Sequence, residues 1–281
     1  MMMKDRLKIL VTNDDGYQAR GIRTLVRLLR PYGDLTVISP KNPQSGKSVA
    51  VSMGFVPIAV KKYKETEGER WWYLDGTPSS CVKFGIDNIF WPYKPDIVVS
   101  GINHGSNAAT AALYSGTIGA AMEGAINGVK AIGISLDDFS PNADFSIVER
   151  HFPAIFETLV THYSKRAGTL YNINFPSINP EKVRGVRVGS MGMAHWEHEY
   201  ERYTPEVLAK LGHTPQPQDI WYVEHAEEGE EMYVMAGDFT DNVGNSPTAD
   251  HLLLSEGYIT ITPHNINNTD YDEMRRLCDI I

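Results

Sequence analysis

The chain has 281 residues, a formal net charge of -9 and a pI of about 5.5, an acidic balance that argues against a nucleic-acid polymer as partner, since a phosphate backbone calls for a basic face. Hydrophobic content of 42% with 22% charged residues is the make-up of a globular protein long enough to bury a sizeable core. No apolar run approaches the ~20 residues of a membrane span, the start "MMMKDRLKILV" meets charge too soon for a signal-peptide core, and Cys81 and Cys278 stand far apart in no metal-like spacing, so the expectation is a cytoplasmic protein with no membrane partner.

Along the chain, "KILVT" (8–12) is a short apolar run ending in a polar cluster, the pattern of a buried strand. In 20–33, Ile22, Leu25, Val26, Leu28 and Leu29 make one apolar face closed by Pro31 and Gly33, which predicts a helix. "DLTVISP" (34–40) is the next strand, and strand–helix–strand in this compass is a βαβ unit, hence a parallel sheet. Segments 49–63 and 70–76 alternate in a way that predicts a hairpin beside the main sheet. Helices are expected over 78–90, 116–129 and 145–163, with strands over 95–101, 130–136, 169–176 and 257–263. Residues 191–250 change character: they are rich in His, Glu, Trp, Tyr and Pro and show no clear period. The predicted architecture is one α/β domain over 1–281, a three-layer sandwich on a mostly parallel sheet, with 191–250 inserted as an irregular or β appendage for assembly and substrate access.

Ligands in open α/β sheets gather at the carboxyl ends of the strands. Those ends here carry Asn13-Asp14-Asp15-Gly16, then Ser45 and Gly46, then "SGINHGSN" (100–107), and "YSGTIG" (114–119) opens a helix. Adjacent carboxylates at a strand end repel each other unless solvated or held by a cation. Carboxylates, a hydroxyl and an amide oxygen are hard ligands, suited to Mg²⁺, Mn²⁺ or Ca²⁺ rather than zinc. A glycine-flanked helix start is a ready anion site. Each stretch also has a plainer reading: Asn-Asp-Asp-Gly is a common turn composition, and Ser115 or Thr117 can simply cap a helix. Their shared place at strand ends is what favours a site.

Sharper motifs are absent. "SGKS" (45–48) resembles the end of a phosphate-binding loop, but the pattern needs Gly where this chain has Lys41. The first strand is followed by no G-x-G-x-x-G, and no EF-hand spacing or G-x-S-x-G elbow occurs. His195, His198, His213 and His225 read as surface or interface residues, and the Trp71–Trp72 pair as packing.

The chain resembles the SurE (survival protein E) family of nucleotidases through "ILVTNDDG", "PQSGKS", "LDGTPSSCVKFGI", "DIVVSGINHGSN", "YSGTIGAAMEGAINGVKAIGIS", "LYNINFP", "VRGVRV" and "GYITITP", in that order over nearly its whole length. The resemblance implies a Rossmann-like fold and a metal-dependent phosphomonoesterase acting on nucleoside 5′-monophosphates, with 3′-monophosphates and short polyphosphate as further substrates in the family. It implies one divalent metal ion per subunit (Mg²⁺ or Mn²⁺, with Ca²⁺ in the same class) held by Asp14, Asp15, Ser45 and Asn103. Phosphate contacts then fall to Asn107, Ser115, Gly116 and Thr117, with Asn13 beside the site. One of the pair Asp14 and Asp15 is the expected catalytic base, and the expected assembly is a homodimer or homotetramer. The alternatives are a nucleotide or phosphate sensor without turnover, and a transferase using the Asp pair to hold a metal–diphosphate. The stretch "YERYTPEVLAKLGHTPQPQD" and the long lead to the terminal strand depart from the family, and Asp250 stands where the family commonly has an aspartate.

Overall fold

A computed structural model describes residues 6–52, 54–140, 142–211, 215, 217–241 and 244–281. The chain divides into two compact units, residues 1–192 with 246–281, and residues 193–245.

In the larger unit the strands are β1 (Leu7–Thr12), β2 (Gly33–Pro40), β3 (Val60–Thr66), β4 (Glu69–Leu74), β5 (Ile97–His104), β6 (Lys130–Leu136), β7 (Thr169–Phe175) and β8 (Val186–Val188). The smaller unit carries β9 (His195–Glu197), β10 (Tyr200–Arg202), β11 (Tyr233–Met235) and β12 (Asp238–Thr240), and the larger unit resumes with β13 (Ile259–Asn265). The helices are α1 (Arg20–Leu29), α2 (Pro78–Phe84), α3 (Ala111–Tyr114), α4 (Gly116–Ile126), α5 (Ser146–Thr161), α6 (Pro205–Lys210), α7 (Pro217–Glu224), α8 (Asp250–Ser255) and α9 (Tyr271–Cys278).

The main sheet runs β3-β4-β2-β1-β5-β6-β7-β13-β8. From β4 to β7 every neighbouring pair is parallel, while β3 and β13 run antiparallel to β4 and β7. The interior strands are buried on both faces, which is why they read as continuous apolar runs rather than alternating ones. Ile9 and Val11 of β1 join a core with Ile22, Leu25 and Leu29 of α1 and Phe152 and Phe156 of α5. Leu10, pointing the other way, joins Cys81 and Val82 of α2 and Ile118, Ala120 and Ala121 of α4. Helices therefore cover both faces, giving the three layers expected.

The strand order steps from β1 to β2 on one side and from β1 to β5 on the other, so the chain reverses direction across the sheet between β1 and β5. That is a topological switch point, where parallel sheets open a crevice for ligands. The helix that faces it, α4, is built of small residues for a reason. A Cβ on Gly124 would lie 2.9 Å from the Val98 side chain, and one on Gly119 would lie 1.9 Å from the Ser48 carbonyl oxygen. The Val98 side chain of β5 and the backbone of the 44–49 loop thus both press against this helix.

Three expectations change. The hairpin is confined to β3 and β4, joined at Glu67–Gly68, and β4 lies inside the main sheet rather than beside it. The described residues of 49–59 form no strand: Ala50 N–H turns back to the Lys47 carbonyl, Ser52 N–H donates to the Ser80 hydroxyl of α2 at 2.7 Å, the Ala50 carbonyl accepts the Thr77 hydroxyl at the start of α2, and Gly54 at φ +115° and Pro57 interrupt the extension. The 78–90 helix is α-helical only to Phe84 and continues to Phe90 in wider turns.

The smaller unit, taken by itself, pairs β9 with β12 and β10 with β11, both antiparallel, and adds α6 and α7. Thr204 starts α6 by accepting the Val207 N–H, and Trp196 and Phe239 meet edge to face across the β9–β12 pair. His195 lies 3.5 Å from Glu197 and His225 stacks on Trp221; His213 lies outside the described residues. Among the described residues no helix is long and apolar enough to cross a membrane.

Candidate active site

At the end of β1 the chain turns through Asn13-Asp14-Asp15-Gly16. Asn13 is fully buried and builds the turn: its Nδ2 donates to the Gly16 carbonyl at 3.0 Å, and its Oδ1 accepts the Ser39 hydroxyl from the end of β2. Gly16, at φ +96°, supplies a backbone conformation that a side chain would resist.

The turn drives Asp14 inward, to 3% exposure. Its Oδ1 accepts the Thr117 hydroxyl at 2.6 Å and its Oδ2 the Thr117 N–H at 3.2 Å, so the first turn of α4 grips the carboxylate with two donors. Thr117 is fully buried, and both its donors face Asp14. Gly116 is required by this approach: a Cβ there would lie 2.9 Å from the Asp14 Cβ, 3.0 Å from its Oδ2 and 3.1 Å from the Gln44 carbonyl oxygen. Asp14 and the residue just before this helix start, Tyr114, also place the loop after β2. Gln44 N–H donates to the Asp14 carbonyl at 2.7 Å and Ser48 N–H to the Tyr114 carbonyl at 2.8 Å, which leaves Ser45 exposed between two anchors at the mouth of the site.

Asp14 has no Lys, Arg or His partner among the described residues. Burial, with the charge of Asp15 added, pushes its pKa up from the ordinary 3.8 to about 6, against the lowering effect of the Thr117 donors. Asp14 is thus a buried carboxylate beside a second carboxylate, served among the described residues only by the neutral donors of Thr117. Asp15 is less covered, its side chain 21% exposed, and His104 Nδ1 lies 3.0 Å from its Oδ2.

β5 delivers the other half. Its pairing with β6 slips between Ser100 and Asn103, an irregularity that re-aims the strand end. Asn103 is 9% exposed; its Nδ2 donates to the Gly105 carbonyl at 2.8 Å, which leaves Oδ1 as the end of the amide available to a cation. Asn107 is locked more firmly. Its N–H donates to Asn174 Oδ1 at 2.8 Å, its Nδ2 to the Ser135 hydroxyl at 2.7 Å, and its carbonyl accepts from Asn172 Nδ2 at 2.8 Å. Ser115 caps α4 by accepting the Ile118 N–H at 3.1 Å. With Thr117 N–H and Ile118 N–H both engaged, Gly116 N–H is the first-turn donor of α4 that remains for an anion.

The structure therefore joins Asp14, Gly116 and Thr117 in direct contact, ties the loop that carries Ser45 to Asp14 and Tyr114 on its two sides, and brings the Asn103 loop to Asp15 through His104. Asn13 and Ser115 have their side chains committed to the turn and the cap. His104, Ser135, Asn172 and Asn174 are not among the residues expected at the site from sequence. The last two are visible in "LYNINF" as amides on one face of an otherwise apolar strand, and both are fully buried. Asp250, noted only by position, is also fully buried: Oδ1 accepts from the N–H groups of Ala109, Gly192 and His251, and Oδ2 from the Thr262 hydroxyl. It pins the 107–109 loop rather than entering the site.

A mostly parallel α/β sheet with paired aspartates and a helix N-terminus at its switch point defines a Rossmann-like protein with a candidate site of oxygen donors there. The chain belongs to the SurE family: the family model described as "Survival protein SurE" matches residues 9–198. It is 35% identical to the 5′-nucleotidase SurE of Christiangramia forsetii over 98% of this chain and 97% of that protein. Identity to the 5′-nucleotidase SurE of Bacteroides fragilis is 34%, with 98% of both chains covered. The solved SurE protein of Aquifex aeolicus superimposes with a TM-score of 0.74 at 26% identity, over 96% of this chain and 97% of that one.

Proposed function

We propose that the chain is a metal-dependent 5′-nucleotidase that hydrolyses nucleoside 5′-monophosphates, with Asp14, Asp15, Ser45 and Asn103 holding one Mg²⁺ or Mn²⁺. The observation that carries the reading is the Asp14 carboxylate: buried, next to a like charge, and compensated by no protein cation among the described residues. The donor set fits a hard divalent ion, being all oxygen with two carboxylates. The names borne by the curated relatives supply the substrate class.

A metal bound there supplies Lewis-acid polarisation of a phosphoryl oxygen and a more acidic water. The chain's own residues do the rest. Thr117 holds Asp14 in one orientation through two donors, so no reorganisation is needed at the moment of reaction. Gly116 N–H and the positive end of α4 would favour the negative charge of a phosphate bound beside Asp14. The buried amides Asn107, Asn172 and Asn174 fix the wall on the β5–β7 side. One of the two carboxylates, Asp14 or Asp15, is the base that takes the proton of the attacking water. The assembly we propose is a homodimer or homotetramer, supported by the exposed aromatics of the smaller unit, where Trp196, Tyr200, Trp221 and Tyr222 are 43–67% exposed.

The test is release of inorganic phosphate from a panel of nucleoside 5′- and 3′-monophosphates and short polyphosphate. Turnover should require added Mg²⁺ or Mn²⁺, stop with EDTA, and be greatest on a 5′-monophosphate. Tight nucleotide binding with no phosphate released would make the protein a sensor instead, and full turnover after exhaustive chelation would remove the metal from the account.

A further inference from the structure

Asp14 and Asp15 are neighbours in sequence but are held by different means. Asp14 is fixed by Thr117 and by burial. Asp15 is a fifth exposed, and the one side-chain contact that fixes its carboxylate among the described residues is His104, whose Nδ1 lies 3.0 Å from Oδ2. We propose that His104 is a positioning residue for the metal: it donates from Nδ1 to Asp15 Oδ2, selects the rotamer of Asp15, and turns Oδ1 toward the cation. The inference rests on the metal reading above.

His104 can act in this way because it is itself held. Its ring meets Phe145 edge to face, with centroids 5.3 Å apart at 79°, and Phe145 is only 4% exposed at the start of α5. The backbone beside it is clamped as well. Gly105 N–H donates to the Leu136 carbonyl at 2.8 Å, and the Phe139 ring lies so close over Gly105 that a Cβ there would sit 2.3 Å from it. The chain Phe145–His104–Asp15 therefore runs from the core to the ligand, each member limiting the freedom of the next. A carboxylate that would otherwise sample several rotamers in solvent is presented in one, and that lowers the entropy cost of taking up the ion.

The geometry also suggests a rescue. Asn carries its amide nitrogen on Cγ, the same topological place as His Nδ1, so His104→Asn keeps the donor and loses the ring. His104→Ala loses both. Both variants give up the packing on Phe145, so the difference between them isolates the hydrogen bond. The measurement is Mn²⁺ binding to chelated protein, followed by loss of the free-ion electron paramagnetic resonance signal. His104→Ala should bind Mn²⁺ about 10- to 100-fold more weakly than the wild type, the range seen when an outer hydrogen-bond partner of a metal ligand is removed. His104→Asn should recover most of that loss, and excess Mn²⁺ should restore turnover in the Ala variant. Unchanged Mn²⁺ affinity in His104→Ala, or an Asn variant as weak as Ala, would overturn the proposal while leaving the metal site intact. A wild-type protein that binds no Mn²⁺ would overturn the metal reading and this inference with it.

Discussion

Replacing Asp14 by Asn should make the metal-free protein more stable, not less. In the folded state Asp14 has a pKa of about 6 against an ordinary 3.8. The native state therefore binds more protons than the unfolded chain between these values, and the contribution to stability is greatest below pH 4 and falls as pH rises through about 6. At 1.36 kcal/mol per pH unit the ionised carboxylate costs ~3 kcal/mol above pH 7. Asn removes the charge and keeps the shape. It also keeps both hydrogen bonds, because its Oδ1 can accept the Thr117 N–H while its Nδ2 donates to the Thr117 hydroxyl, which accepts as readily as it donates. We expect a gain of roughly 1–3 kcal/mol at pH 8 in EDTA, an apparent Tm higher by about 2–6 °C for a chain of this size. At pH 4 the gain should vanish. With Mn²⁺ at ~1,000 times its Kd the order should reverse, since the wild type then gains about 4.1 kcal/mol that the variant does not. The assay is thermal melting of both proteins across pH 4–8, with EDTA and with Mn²⁺. An Asn variant that melts well below the wild type at pH 8 in EDTA would show the carboxylate pair to be structural and refute the reasoning.

Gly116→Ala puts a methyl group 2.9–3.1 Å from Asp14 and Gln44; phosphate release should fall by at least 100-fold while circular dichroism is retained, and near-normal turnover would mean the helix start does not contact substrate. Thr117→Val removes one of the two donors to Asp14 at nearly constant volume, so Mn²⁺ affinity measured by titration calorimetry should drop; an unchanged affinity would leave Thr117 a packing residue. Asp250→Ala strands four donors and should cost about 3–5 kcal/mol in urea unfolding, whereas Asp250→Asn keeps most acceptors and should cost far less. Trp196→Ala or Trp221→Ala should weaken self-association or change KM between nucleotides with Mn²⁺ affinity preserved; a monomeric wild type by light scattering, with unaltered kinetics in both variants, would remove the assembly role of the smaller unit.

The parallel sheet was legible because its interior strands are unbroken apolar runs bounded by polar turns, with Ile9, Leu10 and Val11 the clearest case. α4 was legible from its Ser115 cap and its small residues. The 49–59 stretch misled because its alternation comes from residues such as Phe55 and Val56 that are exposed on both sides, so no sheet face stands behind the pattern. The site was half legible. Asp14 and Gly116 announce themselves at a strand end and a helix start, but Thr117 as the clamp on Asp14 depends on a contact 103 positions away. His104 on Asp15 spans 89 positions, and a lone histidine in a Gly-rich loop carries no local sign of its partner. The Asn107–Asn172–Asn174 network likewise forms only when β5, β6 and β7 lie side by side.

The central claim is that Asp14 and Asp15 share a divalent cation at the switch point between β1 and β5. Crystals of the wild-type protein grown with Mn²⁺ and measured for anomalous scattering test it most directly. The account predicts one strong peak per chain at about 2.1 Å, the distance typical of a small octahedral dication, from carboxylate oxygens of both Asp14 and Asp15, with Asn103 Oδ1 and Ser45 Oγ completing the set. A peak elsewhere, or none at saturating Mn²⁺, would contradict it.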